Sequence, residues 1–145
     1  MIEIKDLYKK FNGVPVLNGL NLTINAGETL VIIGPSGCGK SVLLKHMIGL
    51  LKPDAGSILI DGVDIARMSG KALNEMRKKF GMLFQGAALF DSLTICENVG
   101  FALYEHTHMT DQEIRDRVKL YLGMVGLEGI EEKKPAELSG GMKKR

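Results

Sequence analysis

The sequence predicts an α/β chain with a β-rich first half and a helical second half. Three observations predict it: two Asn/Asp-Gly turns set between strand-like runs, a continuous β-branched run bounded by glycines, and two helix starts after residue 86 that carry their own capping boxes. Ile2 to Phe11 alternates apolar and polar residues. It is followed by Asn12-Gly13 and then the apolar-rich VPVLNGLNLTI, which predicts an antiparallel pair because both turn positions need positive φ. Thr29-Leu30-Val31-Ile32-Ile33 reads as a strand buried on both faces of a parallel sheet, ending at Gly34.

Val42, Leu43, His46, Met47 and Leu50 then recur at helical spacing until Lys52-Pro53-Asp54-Ala55-Gly56 stops the helix. Ser57 to Ile60, Asp61-Gly62 and Val63 to Ile65 form a second hairpin signal, and a short helix over about Lys71 to Lys78 leads into Phe80 to Phe84, read as another apolar strand. Thr94 with Glu97, and Thr110 with Glu113, begin two helices. In the second, Ile114, Val118, Tyr121, Leu122 and Val125 make one apolar face before Gly126. The expected division is residues 1–85, a β-rich core, and 86–145, a helical subdomain.

A chain of 145 residues, 45% apolar and 25% charged, has the composition of one soluble globular domain, with room for a subdomain. A net charge of +2, scattered except at Lys143, Lys144 and Arg145, argues against nucleic acid as the main partner. No stretch approaches the roughly 18 apolar residues of a membrane span, and the N-terminus lacks the apolar core of a signal peptide. The expectation is a cytosolic protein without direct membrane insertion. Cys38 and Cys96 read as reduced thiols, and His106 and His108 as solvated loop residues without a third metal ligand.

The strongest chemical signal is GPSGCGKS: Gly34, Pro35, Ser36, Gly37, Cys38, Gly39, Lys40 and Ser41 fit G-x-x-x-x-G-K-[ST] without exception. Glycines let backbone N–H groups curl round a β-phosphate, and the helix that starts here, with Val42 in its first turn, points its positive end at the same charge. Lys40 supplies a point charge for the β- and γ-phosphates, and the Ser41 hydroxyl is suited to Mg²⁺. A nucleoside triphosphate and Mg²⁺ are the expected ligands.

A phosphate loop alone leaves kinases, GTPases and helicases open. The Leu138-Ser139-Gly140-Gly141 motif, about a hundred residues beyond Lys40, with Gln85 between them, gives an ordered set that resembles the nucleotide-binding subunit of ABC transporters along the whole chain. The resemblance implies a P-loop NTPase core of ABC type with an N-terminal antiparallel β subdomain and the start of an α-helical subdomain. It implies that Phe11 stacks on adenine and that Gln85 is a catalytic and Mg²⁺-contacting glutamine beside Lys40. Ser139, Gly140 and Gly141 would form the signature motif that meets the γ-phosphate held by a second subunit, so a head-to-tail homodimer around two ATP molecules follows.

The stretch Met82 to Leu103 and Met142 after LSGG look like the ATPases of Mla-type phospholipid transporters. That likeness implies a place on the cytoplasmic face of a bacterial inner membrane, through a permease contacted near residues 85–103. A soluble ABC-type ATPase and a non-catalytic nucleotide-binding module are the alternatives. In the family the Walker B aspartate, the catalytic glutamate and further strands follow LSGG, whereas this sequence stops at Arg145. The expectation is therefore ATP binding with negligible turnover by these residues alone, and an unpaired edge at Thr29 to Ile33 that drives dimerisation, swapping or local departure from the family fold.

Overall fold

Strands β1 (Ile2–Phe11) and β2 (Val14–Ile24) close on Asn12 and Gly13, whose φ values of 50° and 80° are those of a type I′ hairpin turn. The second hairpin joins β3 (Ala55–Ile60) to β4 (Val63–Asp64) through Asp61 and Gly62, also at positive φ. The computed structural model describes residues 1–145 and sets these strands in one antiparallel sheet of order β2-β1-β3-β4. Helix α1 (Lys40–Met47) and helix α2 (Gly70–Arg77) belong with this sheet to one compact unit, residues 1–81.

Alternation along β3 sends Ile58 and Ile60 inward, and on β1 the irregularity at Asp6 brings Leu7 to the same face as Ile4; these residues meet Leu43 and Met47 of α1 and Leu73 and Met76 of α2. His46 shares this interior. Its Nδ1 lies 2.7 Å from the Val42 carbonyl, so Nδ1 carries the proton, while Nε2 is buried without a partner.

Residues 82–145 form the other compact unit. It holds α3 (Ile95–His106), α4 (Asp111–Met124) and α5 (Gly140–Lys144). Its interior is Ile95, Cys96, Ile114, Val118, Leu122, Leu127, Ile130 and Leu138. Ile114, Val118 and Leu122 are the buried stripe of α4; Tyr121 and Val125, expected on the same face, remain partly exposed at its flank.

Two expected strands do not form. Thr29 to Ile33 makes no ladder with any segment of the chain, and although Ile32 packs on the first core, Val31 and Ile33 are 72% and 89% exposed. A β-branched run favours extended backbone, but a strand exists only where a neighbour pairs its N–H and C=O groups, and none lies alongside. Phe80 to Phe84 is likewise unpaired: Phe80 packs on the first core while Leu83 is exposed. The sheet that forms is wholly antiparallel, and the parallel layer expected around Thr29 to Ile33 is absent.

Both predicted capping boxes are complete. The Glu97 carboxylate accepts from Thr94 N–H at 2.7 Å while Thr94 Oγ1 accepts from Glu97 N–H, and Glu113 and Thr110 repeat the arrangement. Removing either hydroxyl, Thr94→Ala or Thr110→Ala, is predicted to cost about 1 kcal/mol, read as a lower midpoint in urea with unchanged slope. The Glu97 and Glu113 carboxyls are held below the ordinary range, first by the threonine backbone N–H and then by the hydroxyl. A lowered folded pKa means this contribution is fully present above the ordinary glutamate value of about 4.3 and disappears as pH falls below it. Glu97→Gln should flatten that part of the acid dependence.

Candidate phosphate-binding site

The chain leaves Ile33 and turns at Gly34 into a loop whose geometry only glycine accommodates at two points. Gly37 has φ +82°, and Gly39, the N-cap of α1, has φ +99°. A β-carbon on Gly39 would lie 3.1 Å from Val16 Cγ1 and 3.2 Å from Val16 O, so β2 forms the floor beneath the start of the helix. Any other residue would carry left-handed strain and push the loop off that floor.

The first helical hydrogen bond runs from Leu43 N–H to Gly39 O at 2.8 Å. The N–H groups of Lys40, Ser41 and Val42 therefore lack intrachain acceptors and point out of the helix start, and Gly39 brings no side chain to cap them. Such a group of free donors, with the helix dipole behind it, is an anion cradle. The Lys40 ammonium donates to Gly34 O and Pro35 O, both at 2.8 Å, and lies 3.7 Å from Cys38 Sγ. An ammonium has three donors; two close the loop on carbonyls and the third makes only the long, weak bond to Cys38 Sγ, which a phosphate oxygen would replace. Ser41 is exposed at the second helical position, and Ser36 and Pro35 are exposed along the rim. This donor set fits a polyphosphate, and the Ser41 hydroxyl, exposed in the first turn of α1, is a hard-oxygen ligand suited to Mg²⁺.

Phe11 ends β1 beside the hairpin turn, 41% exposed, with its backbone paired to Val14. The Lys9 ammonium lies over its ring, 5.5 Å from the centroid. The same ammonium donates to Asp54 Oδ1 at 2.8 Å and to Lys52 O at 2.9 Å. Asp54 also accepts from Lys10 N–H at 2.7 Å and gives its own N–H to Tyr8 O at 2.9 Å. Lys9 and then the Lys10 N–H hold the Asp54 carboxyl below the usual carboxylate range. Neither Lys9 nor Asp54 stood out in the sequence as a site residue. The usable signal was the period of two that sets Lys9 and Phe11 on the same side of β1.

In the other unit, Gln85 is exposed in an irregular stretch rather than at a strand end, and lines a cavity of about 220 Å³ with Leu83, Phe84, Ala87 and Lys144. The chain turns sharply after it: Ala87 N–H donates to Phe84 O, and Ala87 and Ala88 both hold positive φ. Such conformations cost alanine about 1–2 kcal/mol each. Ser139 is the N-cap of α5, its hydroxyl accepting from Met142 N–H at 3.3 Å. Gly140 and Gly141 follow with exposed backbones, a β-carbon on Gly140 meeting nothing within 4 Å. Loop 34–41 and Phe11 thus lie in one unit, and Gln85 and Ser139 to Gly141 in the other.

A family model described as ABC transporter matches residues 17–145. The probable ribonucleotide transport ATP-binding protein mkl of Mycobacterium tuberculosis is 52% identical over 144 residues, 99% of this chain and 40% of the relative. The intermembrane phospholipid transport system ATP-binding protein MlaF of Haemophilus influenzae is 46% identical over 145 residues, 100% of this chain and 55% of the relative. Among solved structures, a dimeric ATP-binding cassette, MJ0796, bound to ADP and Pi, superposes with a TM-score of 0.90 at 34% identity, covering 99% of this chain and 65% of that one. The chain spans about half the length, or less, of these curated relatives.

Proposed function

Because this chain belongs to the ABC transporter family, we propose that it is the nucleotide-gripping part of an ATP-binding subunit that drives transport through a membrane permease. The observation that carries this reading is the cradle at loop 34–41, which combines three free N–H groups at a helix start with an ammonium whose third donor is held only by a thiol. In this reading Gly34, Pro35, Ser36, Gly37, Cys38 and Gly39 wrap the phosphates, and Lys40 and the first turn of α1 neutralise their charge. Ser41 would ligate Mg²⁺ and Phe11 would stack on the adenine; Gln85, in the other unit, is proposed as the family's catalytic glutamine. Mg²⁺ held at the Ser41 hydroxyl would supply charge neutralisation of the phosphates; the loop's own task is to orient the triphosphate.

Ser139, Gly140 and Gly141 are proposed to cap the γ-phosphate of a second copy, in line with the dimeric state of the MJ0796 cassette. Hydrolysis is assigned to the full-length subunit, paired in this way on the cytoplasmic face of the inner membrane. The proposed cargo is phospholipid, supported by the likeness of residues 82–103 to Mla-type subunits and by the MlaF relative. The ribonucleotide name of the mycobacterial relative supplies the competing cargo.

Calorimetric titration with Mg-ATP tests the nucleotide reading: saturable one-to-one uptake is expected, and no heat at millimolar Mg-ATP would overturn it. For the cargo, ATP turnover by the full subunit with its permease in vesicles should rise with phospholipid and not with ribonucleotide.

A further inference from the structure

We propose that Lys9 and Asp54 are positioning residues for the Phe11 ring, so that binding of the base, as distinct from binding of the triphosphate, depends on their contact. This deepens the nucleotide reading above and rests on it. Phe11 sits at the rung next to the Asn12-Gly13 turn, past Tyr8, where the β1–β3 pairing ends, so the tip of the hairpin needs a hold from outside the hairpin. What holds it is the segment between α1 and β3. Four hydrogen bonds tie residues 8–10 to residues 52–54: Lys9 Nζ to Asp54 and to Lys52 O, Lys10 N–H to Asp54, and Asp54 N–H to Tyr8 O.

Lys9 is unusual for a lysine in leaving only 17% of its side chain exposed. A lysine ordinarily keeps its head in water; here the head gives donors to a carboxylate and a carbonyl and comes to rest over an aromatic face. The ammonium is therefore fixed in place, and through it the ring is fixed too, with enough exposed surface left to receive a planar ligand. The staple also leads toward the phosphates along the chain. Residues 52–54 continue from α1, and α1 begins at Lys40, so the same contact sets the spacing between ring and cradle. A nucleoside triphosphate must span that spacing, whereas an inorganic polyphosphate needs only the cradle.

Calorimetry with Mg-ATP and with Mg-tripolyphosphate, on wild type, Asp54→Asn, Lys9→Met, Phe11→Ala and Phe11→Ala/Asp54→Asn, separates the possibilities. Asp54→Asn and Lys9→Met should each weaken ATP by about three- to tenfold, and leave tripolyphosphate within about twofold of wild type. In the Phe11→Ala background, Asp54→Asn should add nothing, the signature of a residue that acts through the ring. Lys9→Met keeps the apolar stem, so it carries the test should Asp54→Asn fail to fold.

Equal losses for both ligands, or an undiminished Asp54→Asn effect in the Phe11→Ala background, would reduce the pair to a fold staple and overturn the proposal. Failure of the nucleotide reading looks different. Wild type would bind neither ligand, or would bind both equally with Phe11→Ala silent, and the inference would fall with that reading.

Discussion

Lys40→Ala is expected to lower Mg-ATP affinity by about ten- to hundredfold while leaving the unit of residues 1–81 folded. The size follows from what is removed. A charge-assisted hydrogen bond is worth about 1.5–3 kcal/mol, and each 1.4 kcal/mol is a factor of ten in the dissociation constant. The stability cost is small because the two carbonyls that Lys40 holds, Gly34 O and Pro35 O, belong to exposed residues and turn to water when it is gone. Titration calorimetry reads the first effect and thermal melting the second, with a shift of no more than a few degrees. Lys40→Arg is a sharper control. It keeps the charge, but its planar fork does not reproduce a compact ammonium seated between two carbonyls, so recovery should be incomplete. Wild-type affinity in Lys40→Ala would mean that the cradle binds phosphate through its amides alone and that the lysine only closes the loop.

The elements that could be read from the sequence are those whose cause is local. Asn12-Gly13 and Asp61-Gly62 carry the positive φ of their turns in their own residue types, and Thr94-Glu97 and Thr110-Glu113 contain both partners of each capping box, so these features appear where they were expected. The loop from Gly34 to Ser41 is legible for the same reason: its glycines, lysine and hydroxyl lie within eight residues.

What failed was non-local. Thr29 to Ile33 has the composition of a buried strand, but composition states only that extended backbone is favoured. Whether a partner strand lies alongside is decided elsewhere in a fold, and here Val31 and Ile33 face solvent. Gln85 follows Phe80 to Phe84, a predicted strand that does not pair, and its irregular setting comes from the same missing ladder. Lys9 and Asp54, 45 residues apart, are each an ordinary surface charge in the sequence; only the return of the chain after α1 brings the carboxylate to the ammonium.

The largest structural effect should come from Gly56→Ala, expected to destabilise the unit of residues 1–81 by about 3 kcal/mol or more, through left-handed strain of about 1–2 kcal/mol and overpacking of a similar size. Gly56 has φ +93°, and a β-carbon there would lie 2.3 Å from Asp6 O and 2.6 Å from Lys5 O. Both are backbone atoms of β1, so no rotamer change relieves the overlap. They lie where the β1–β3 register shifts between the Lys5–Ser57 and Tyr8–Ala55 pairs, with Asp6 itself at positive φ. To admit the methyl group, β3 must move off β1, and the contact between Ile4 and Leu7 on one strand and Ile58 and Ile60 on the other opens with it.

Gly62→Ala isolates the strain: φ there is +82°, yet nothing lies within 4 Å of the added carbon, so its cost should stop at about 1–2 kcal/mol. Urea unfolding of the two variants gives the steric part by difference. Because the β1–β3 register also brings Asp54 to Lys9, whatever folded population of Gly56→Ala survives should bind Mg-ATP more weakly than its folded fraction alone predicts. Affinity that simply tracks the folded fraction would show that β3 can shift without disturbing the ring at Phe11.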